Sequence, residues 1–104
     1  MSAFTVELNS DAEADLLAID DTRTRRAISE GLLRLEEEPA KRGKPLQNDL
    51  KGYYRIKVAG GRYRAVYSVA VTQGVVSVVV IGIRKEGDKH DVYRVASKRL
   101  GRKG

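Results

Sequence analysis

The sequence predicts an α+β domain, a small antiparallel β-sheet with two N-terminal helices packed on one of its faces. Three observations carry this. Apolar residues recur at helical spacing as far as Leu35, the period changes to two from Tyr53 onward, and glycine-bearing turns divide that second region into three strands. At 104 residues the chain accommodates one domain, 1–104, because halving it would leave pieces too small for a proper core.

The elements follow in order. Residues 4–8 alternate weakly and read as a short strand. Ser10 with Glu13 three positions on has the form of a capping box, opening a helix with Ala12, Leu16 and Ile19 on one stripe. Asp20-Asp21-Thr22 interrupts that helix and caps a second, whose Ile28, Leu32 and Leu35 share a face and which stops before Pro39. Residues 40–49 read as a basic connector holding Gly43 and Pro45. Strands are expected at 53–59, 62–71 and 75–83. Gly60-Gly61 reads as a two-residue hairpin turn, since both central positions need positive φ. Thr72-Gln73-Gly74 suits a three-residue turn with Gly74 in the left-handed conformation. Residues 84–90 form a charged loop, 91–100 a final short strand or helix, and 101–104 a basic tail expected to fray.

Composition excludes several chemistries. The chain has no Cys, so a disulfide framework or thiolate metal site is impossible, and one histidine, His90, builds no histidine cluster. No metal and no cofactor are expected. The start Met1-Ser2-Ala3-Phe4, with Glu7 close behind, does not read as a signal peptide, and the apolar run around 78–81 is too short to span a bilayer. A cytoplasmic protein without membrane contact is expected.

Charge is unevenly distributed. Residues 1–40 carry four Arg and ten acidic side chains, a net of −6, whereas residues 41–104 carry sixteen Lys and Arg against four acids, a net of +12. Such asymmetry is the footprint of a polyanion-binding surface in the second part of the domain. The predicted turns sharpen it. If Gly60-Gly61 is the whole first loop, Lys57 lies opposite Arg64; if 72–74 is the whole second, Val71 pairs with Val75, Arg64 faces Gly82 and Arg62 faces Arg84. Arg55, Lys57, Arg62, Arg64 and Arg84 then share one sheet face, expected to be open. The other face holds Tyr54, Ile56, Val58, Tyr63, Ala65, Tyr67, Val69, Val79, Ile81 and Ile83, and is where the helices should pack.

Like charges directly opposed on a sheet are unfavourable, so five converging cations point to a bound phosphate, gripped by Arg forks and a Lys point charge. Gly82, without a side chain, would leave room beside Arg64 for that group. Cleaving RNA needs more: activation of the 2′-hydroxyl, stabilisation of the phosphorane and protonation of the departing oxygen. Clustered cations supply the second and lower a Lys pKa toward general-base chemistry, but Arg is a poor proton donor. Tyr93 follows the loop that Arg84 opens and reads either as a base-stacking platform or as an amphipathic core tyrosine. His90 is a candidate proton donor, although among Lys89 and Asp91 it reads also as a plain surface histidine. Lys51, Arg62, Lys85, Lys89, Arg94, Lys98 and Arg99 are the expected RNA-binding cations around this centre.

The run Leu50-Lys51-Gly52-Tyr53-Tyr54-Arg55-Ile56-Lys57, then Arg62-Tyr63-Arg64-Ala65-Val66-Tyr67, Ile81-Gly82-Ile83-Arg84 and Asp91-Val92-Tyr93-Arg94, resembles the RelE/ParE toxin superfamily. The resemblance covers essentially the whole chain and implies the same sheet with two helices on one face. For RelE members it implies metal-free cleavage of messenger RNA in the ribosomal A site by 2′-hydroxyl attack. It also implies neutralisation by a cognate acidic, RelB-like antitoxin, and is compatible with a heterotetramer of the two. By resemblance Arg55 and Lys57 occupy the paired basic positions, Arg64 the phosphate-stabilising one, Arg84 that of the leaving group and Tyr93 that of the stacking tyrosine. Arg55 stands where a Lys is often found, and the 85–90 loop is longer than in compact RelE members. Yoe-type relatives use a connector carboxylate with a late histidine, but here the connector reads Gly43-Lys44-Pro45-Leu46. The alternatives are a ParE-type inhibitor of DNA gyrase, with the same fold and no nuclease activity, and a non-catalytic nucleic-acid-binding module.

Overall fold

The computed structural model describes residues 3–100; the expected tail, 101–104, lies outside them. Strand β1 (Thr5–Leu8) leads into helix α1 (Ser10–Leu17) and helix α2 (Thr22–Leu33), which continues as a 3₁₀ turn, Arg34–Glu36. After a short helix α3 (Pro39–Arg42) come β2 (Lys44–Pro45), a second 3₁₀ turn, Asn48–Leu50, and strands β3 (Tyr54–Val58), β4 (Tyr63–Ala70) and β5 (Val75–Ile83). Helix α4 (Val92–Leu100) closes the described chain. The stretch read as a connector thus carries structure of its own, including a two-residue edge strand. None of these helices is long and apolar enough to cross a membrane.

The helix starts follow capping chemistry. The predicted Asp21 cap holds, its side chain accepting from the Arg23 N–H at 3.2 Å and from the Thr24 hydroxyl at 2.6 Å. For α1 the cap is Asn9, not Ser10: its side chain accepts from the Ala12 N–H at 2.8 Å. The reason lies in the sheet. The Asn9 N–H donates to the Val78 carbonyl, which keeps residue 9 extended and lets Ser10 begin the helix.

The sheet order is β1-β5-β4-β3-β2, antiparallel except that β1 runs parallel to β5. The parallel edge was not foreseen; it arises because α1 and α2 carry the chain away from β1 before β2 is laid down. Helices α1 and α2 cover one face, where Ala12, Ile28, Leu32 and Leu35 bury Val58, Ala65, Tyr67, Val76, Val78 and Ile81.

The opposite face is not open as expected. Helix α4 packs there with Val92 and Ala96 against Val66, Val79, Val80 and Leu50. The alternation rule fails at Val79 for a local reason, a β-bulge between Val66 and Tyr67. Tyr67 pairs with Val78 and Val66 with Val80, so Val79 and Val80 both lie with the α4 cluster and Val79 leaves the α1–α2 face. The bulge also rescues the predicted register. The second loop is four residues long, with Ala70 opposite Val75, one step from expectation, and the extra residue at Val79 restores Arg64 to Gly82. In the first hairpin Lys57 faces Arg64 as predicted. The tight turn there is nevertheless Val58–Gly61, with Ala59 (φ 53°) and Gly60 (φ 67°) at its centre and the Gly61 N–H donating to the Val58 carbonyl.

Tyr67 anchors the connector from the core. Its ring stacks on Tyr54 at 5.5 Å, and its buried hydroxyl donates to the Pro39 carbonyl at 2.7 Å. Burial, with a smaller contribution from Tyr54, pushes this phenol up to about 12. In the unfolded chain it titrates near 10, so between the two values the unfolded state holds fewer protons and stability falls as pH rises. Thermal unfolding between pH 9 and 12 is expected to show a steeper alkaline loss for the parent than for Tyr67→Phe, and parallel curves would refute it.

Candidate functional site

The strand register places Lys57 on β3 directly across from Arg64 on β4, two cations at adjacent positions of one face. Arg64 is half-buried; its Nη1 donates to the Gly61 carbonyl at 2.8 Å, while its Nε is buried with no partner among the described residues. An unmade buried hydrogen bond costs roughly 1–3 kcal/mol, the kind of local penalty that marks functional positions. Gly82 across the other ladder does not leave space for a ligand: a Cβ there would stand 3.4 Å from the Val92 side chain. It makes room for α4.

Arg84 lies just past the end of β5 and is stacked over Tyr93, its guanidinium carbon 5.0 Å from the ring centroid. Both are held by Asp91, 1% exposed and the one buried charged side chain among the described residues. One Asp91 oxygen accepts from Arg84 Nη1 at 2.6 Å and from the Lys85 N–H; the other accepts from the Tyr93 N–H at 3.0 Å, capping α4. Burial pulls this carboxyl upward, but Arg84 and the two amides outweigh it and hold it below the usual carboxylate value. In return the hydrogen bond to Asp91 raises the Arg84 guanidinium above its ordinary value. Arg84 is therefore a positive charge and a platform for Tyr93, and an even poorer proton donor than arginine generally is.

Beside this stack, under α4, is a cleft of about 730 Å³ lined by Arg84, Lys89, Tyr93, Arg94 and Lys98. Asp49, Glu86 and Asp91 share its wall, so its cations are partly compensated. Arg55 and Lys57 line a different cleft at the β3 edge. The five predicted catalytic side chains thus form linked groups, Arg55–Lys57, Lys57–Arg64 and Arg84–Tyr93, not one pocket.

The outer cations divide similarly. Arg62 sits in the first hairpin loop beyond the last ladder pair, so it does not oppose Arg84 in the sheet, and its charge acts on the Asp21 carboxylate at the start of α2. Arg99 forms a two-pronged pair with Asp15 at 2.8 and 2.9 Å and reaches the Val79 carbonyl at 3.2 Å. Asp15 also accepts from the Ile81 N–H at 2.9 Å. The pair thereby serves edge groups of β5 beyond the last β1 partner and ties α4 to α1 across the sheet. Lys85 is drawn to Asp88 at 3.6 Å, and Lys51 is exposed ahead of β3. His90 is 77% exposed, 3.3 Å from Asp88, and lines a separate depression with Lys98 and Arg99; the structure does not bring it to the Arg84–Tyr93 cleft.

Sequence reasoning offered 91–100 as a short strand or helix, but missed that this helix packs on the sheet face expected to be open and that Asp91 anchors it. The signal for α4 was present, since Val92, Val95, Ala96 and Leu100 follow helical spacing behind an Asp at the capping position.

A family model described as ParE toxin of type II toxin–antitoxin system, parDE, matches residues 6–87. No curated protein matches the chain. Among solved structures, the toxin–antitoxin complex RelBE2 from Mycobacterium tuberculosis is 28% identical, over 79% of this chain and 99% of that one, with a TM-score of 0.70. A substituted E. coli toxin RelE in the free state is 25% identical, over 97% and 100%, with a TM-score of 0.72. The chromosomal ParDE system from P. aeruginosa shares the fold at 17% identity, over 78% and 96%, with a TM-score of 0.63.

Proposed function

Since this chain belongs to the ParE toxin family of type II toxin–antitoxin systems, in the RelE/ParE superfamily, we propose that it is a metal-independent endoribonuclease that cleaves messenger RNA in the ribosomal A site. The observation that carries this reading is the opposed Lys57–Arg64 pair on the sheet, together with the stack of Arg84, just past β5, on Tyr93 of α4. In the reaction a 2′-oxygen attacks the adjacent phosphorus, its proton passes to a base, the bond to the 5′-oxygen breaks, and that oxygen takes a proton from water. The products are a 2′,3′-cyclic phosphate and a 5′-hydroxyl. Lys57 takes the proton, standing directly across the ladder from the Arg64 that holds the phosphate. Arg64 holds the phosphorane oxygens, Tyr93 stacks on a base, and Arg84 supplies charge on the leaving side. Arg55 stands behind Lys57 as a further phosphate contact. The cognate partner is an antitoxin, and the +12 charge on residues 41–104 favours an acidic, RelB-like one.

With Arg84 bound to Asp91, no side chain among the described residues of the proposed site is an acid matched to the departing oxygen, so its substrate must arrive already bent into attack geometry. Purified protein is expected to cut message on programmed ribosomes far faster than the same RNA alone, measured by primer extension. Equal rates on both would count against ribosome dependence. The ParE description of the matching family favours a second reading, gyrase inhibition. Blocked DNA supercoiling by purified gyrase, with no cleavage on ribosomes, would establish that reading instead.

A further inference from the structure

We infer that the β3 edge carries a second site, separate from the Arg84–Tyr93 cleft, which holds the phosphate backbone of single-stranded RNA. The site is a cleft of about 390 Å³ where β2 stops after two residues and leaves β3 at the sheet margin. Arg34, Arg42, Lys44, Arg55 and Lys57 line it together with Gly43 and Ile56. Three parts of the fold converge to build it. Arg34 comes from the 3₁₀ turn after α2, Arg42 and Lys44 flank Gly43 between α3 and β2, and Arg55 and Lys57 lie two apart on β3.

Gly43 brings these parts together, because an added Cβ there would collide with the Tyr67 hydroxyl and the Arg55 carbonyl. Lys44 pairs directly with Arg55 in the β2–β3 ladder, a second opposed pair of like charges beside Lys57–Arg64. Arg42 is braced by its Nε, which donates to the Glu37 carbonyl at 2.9 Å.

The chemistry of the lining identifies the ligand. Among the described residues no Asp or Glu lines this cleft, whereas three line the cleft under α4. Five cations converging on one cleft repel one another, and a polyanion relieves that repulsion. No aromatic side chain lines it either, so it offers charge and guanidinium forks but no base-stacking surface. That combination tracks a sugar–phosphate chain without reading its sequence. An acidic peptide shares the charge, but Lys57, which lines this cleft, is also paired with Arg64 in the ladder, so a strand bound there lies beside the proposed scissile phosphate. The assignment of RNA as the polyanion rests on the nuclease reading; the binding test below does not require cleavage.

The probe is a 12-nucleotide 2′-O-methyl RNA, which lacks the attacking hydroxyl, titrated against the full chain at several salt concentrations. Arg34→Ala, Arg42→Ala and Lys44→Ala are combined in one variant. All three residues are exposed and none belongs to the proposed catalytic set, so the fold is expected to survive, with thermal unfolding as the check. The variant should bind on the order of tenfold more weakly at 0.15 M salt, equally for different sequences. Its log Kd against log salt slope should flatten by about 2, three contacts at roughly 0.7 each for a single strand. Lys44→Gln alone should give about a third of the flattening and serves if the triple variant unfolds. Unchanged slopes overturn the site. So does a loss seen with oligoglutamate and not with RNA, which would assign the cleft to an acidic peptide. If the variant weakens RNA binding while the parent cleaves no message, the nuclease reading fails and this site stands.

Discussion

Arg64→Ala is expected to lower cleavage of ribosome-bound message roughly 10²–10³-fold with the fold intact. Arg64 is the cation with Lys57 across one ladder and Gly82 across the other, at the middle of the sheet. As charge develops on the phosphorane, a guanidinium held there by the Gly61 carbonyl stabilises it without reorganising, which is where electrostatic catalysis gains most. Stability should change little. The substitution removes one hydrogen bond to Gly61, but also a buried unpartnered N–H and one member of an opposed like-charge pair. Arg64→Lys should recover only part of the activity, because an ammonium cannot grip two oxygens in a plane. Single-turnover cleavage with thermal unfolding as the control decides the matter. A folded Arg64→Ala protein cutting at the parental rate would remove Arg64 from the site.

Asp91→Asn should be nearly as damaging by another route. The carboxylate serves three donors with two oxygens: Arg84 and the Lys85 amide on one, the Tyr93 amide on the other. An amide brings one acceptor and a donor that faces another donor, so either the Arg84 pair or the α4 cap is lost. The unfolding free energy is expected to drop by about 1–3 kcal/mol, the cost of a buried group left unsatisfied. Cleavage should fall further than stability explains, up to about 10²-fold, because Arg84 and Tyr93 lose their common anchor. The comparison is made well below the unfolding temperature. The pH dependence agrees in sign. With its folded pKa depressed, Asp91 contributes stability that is present above the usual carboxylate value and lost as pH falls through the lower folded one. Parental activity in Asp91→Asn would show that Arg84 and Tyr93 are positioned without it.

Much of this was legible from residue pattern, for identifiable reasons. The α1–α2 face could be read because Ile28, Leu32 and Leu35 keep helical spacing and Ala65 and Tyr67 keep strand alternation. The Lys57–Arg64 pairing could be read because the glycines at 60 and 61 pin the first hairpin. Arg64–Gly82 was reached through two errors that cancel, a loop one residue too short and an unseen bulge at Val79. Bulges leave no mark in an apolar run such as 78–81, where every residue suits either face. The compensation of Arg84 by Asp91 was hidden because it depends on where α4 packs. Arg34 was hidden by its company, a cation in a segment of net charge −6 that the fold carries to the basic edge.

The parallel pairing of β1 with β5 bears on how the protein is made. Thr5 meets its partner only at Val75, and Asp15 meets Arg99 across 84 residues of chain. At about 5–20 residues per second, about 3.5–14 s of synthesis separate the first strand from the segment it pairs with. During that interval the N-terminal 40 residues have no sheet to cover, and Arg84, Asp91 and Tyr93 have yet to be translated. A nascent chain therefore cannot assemble the Arg84–Asp91–Tyr93 cluster, or pair β1 with β5, until nearly all of the described residues have been synthesised.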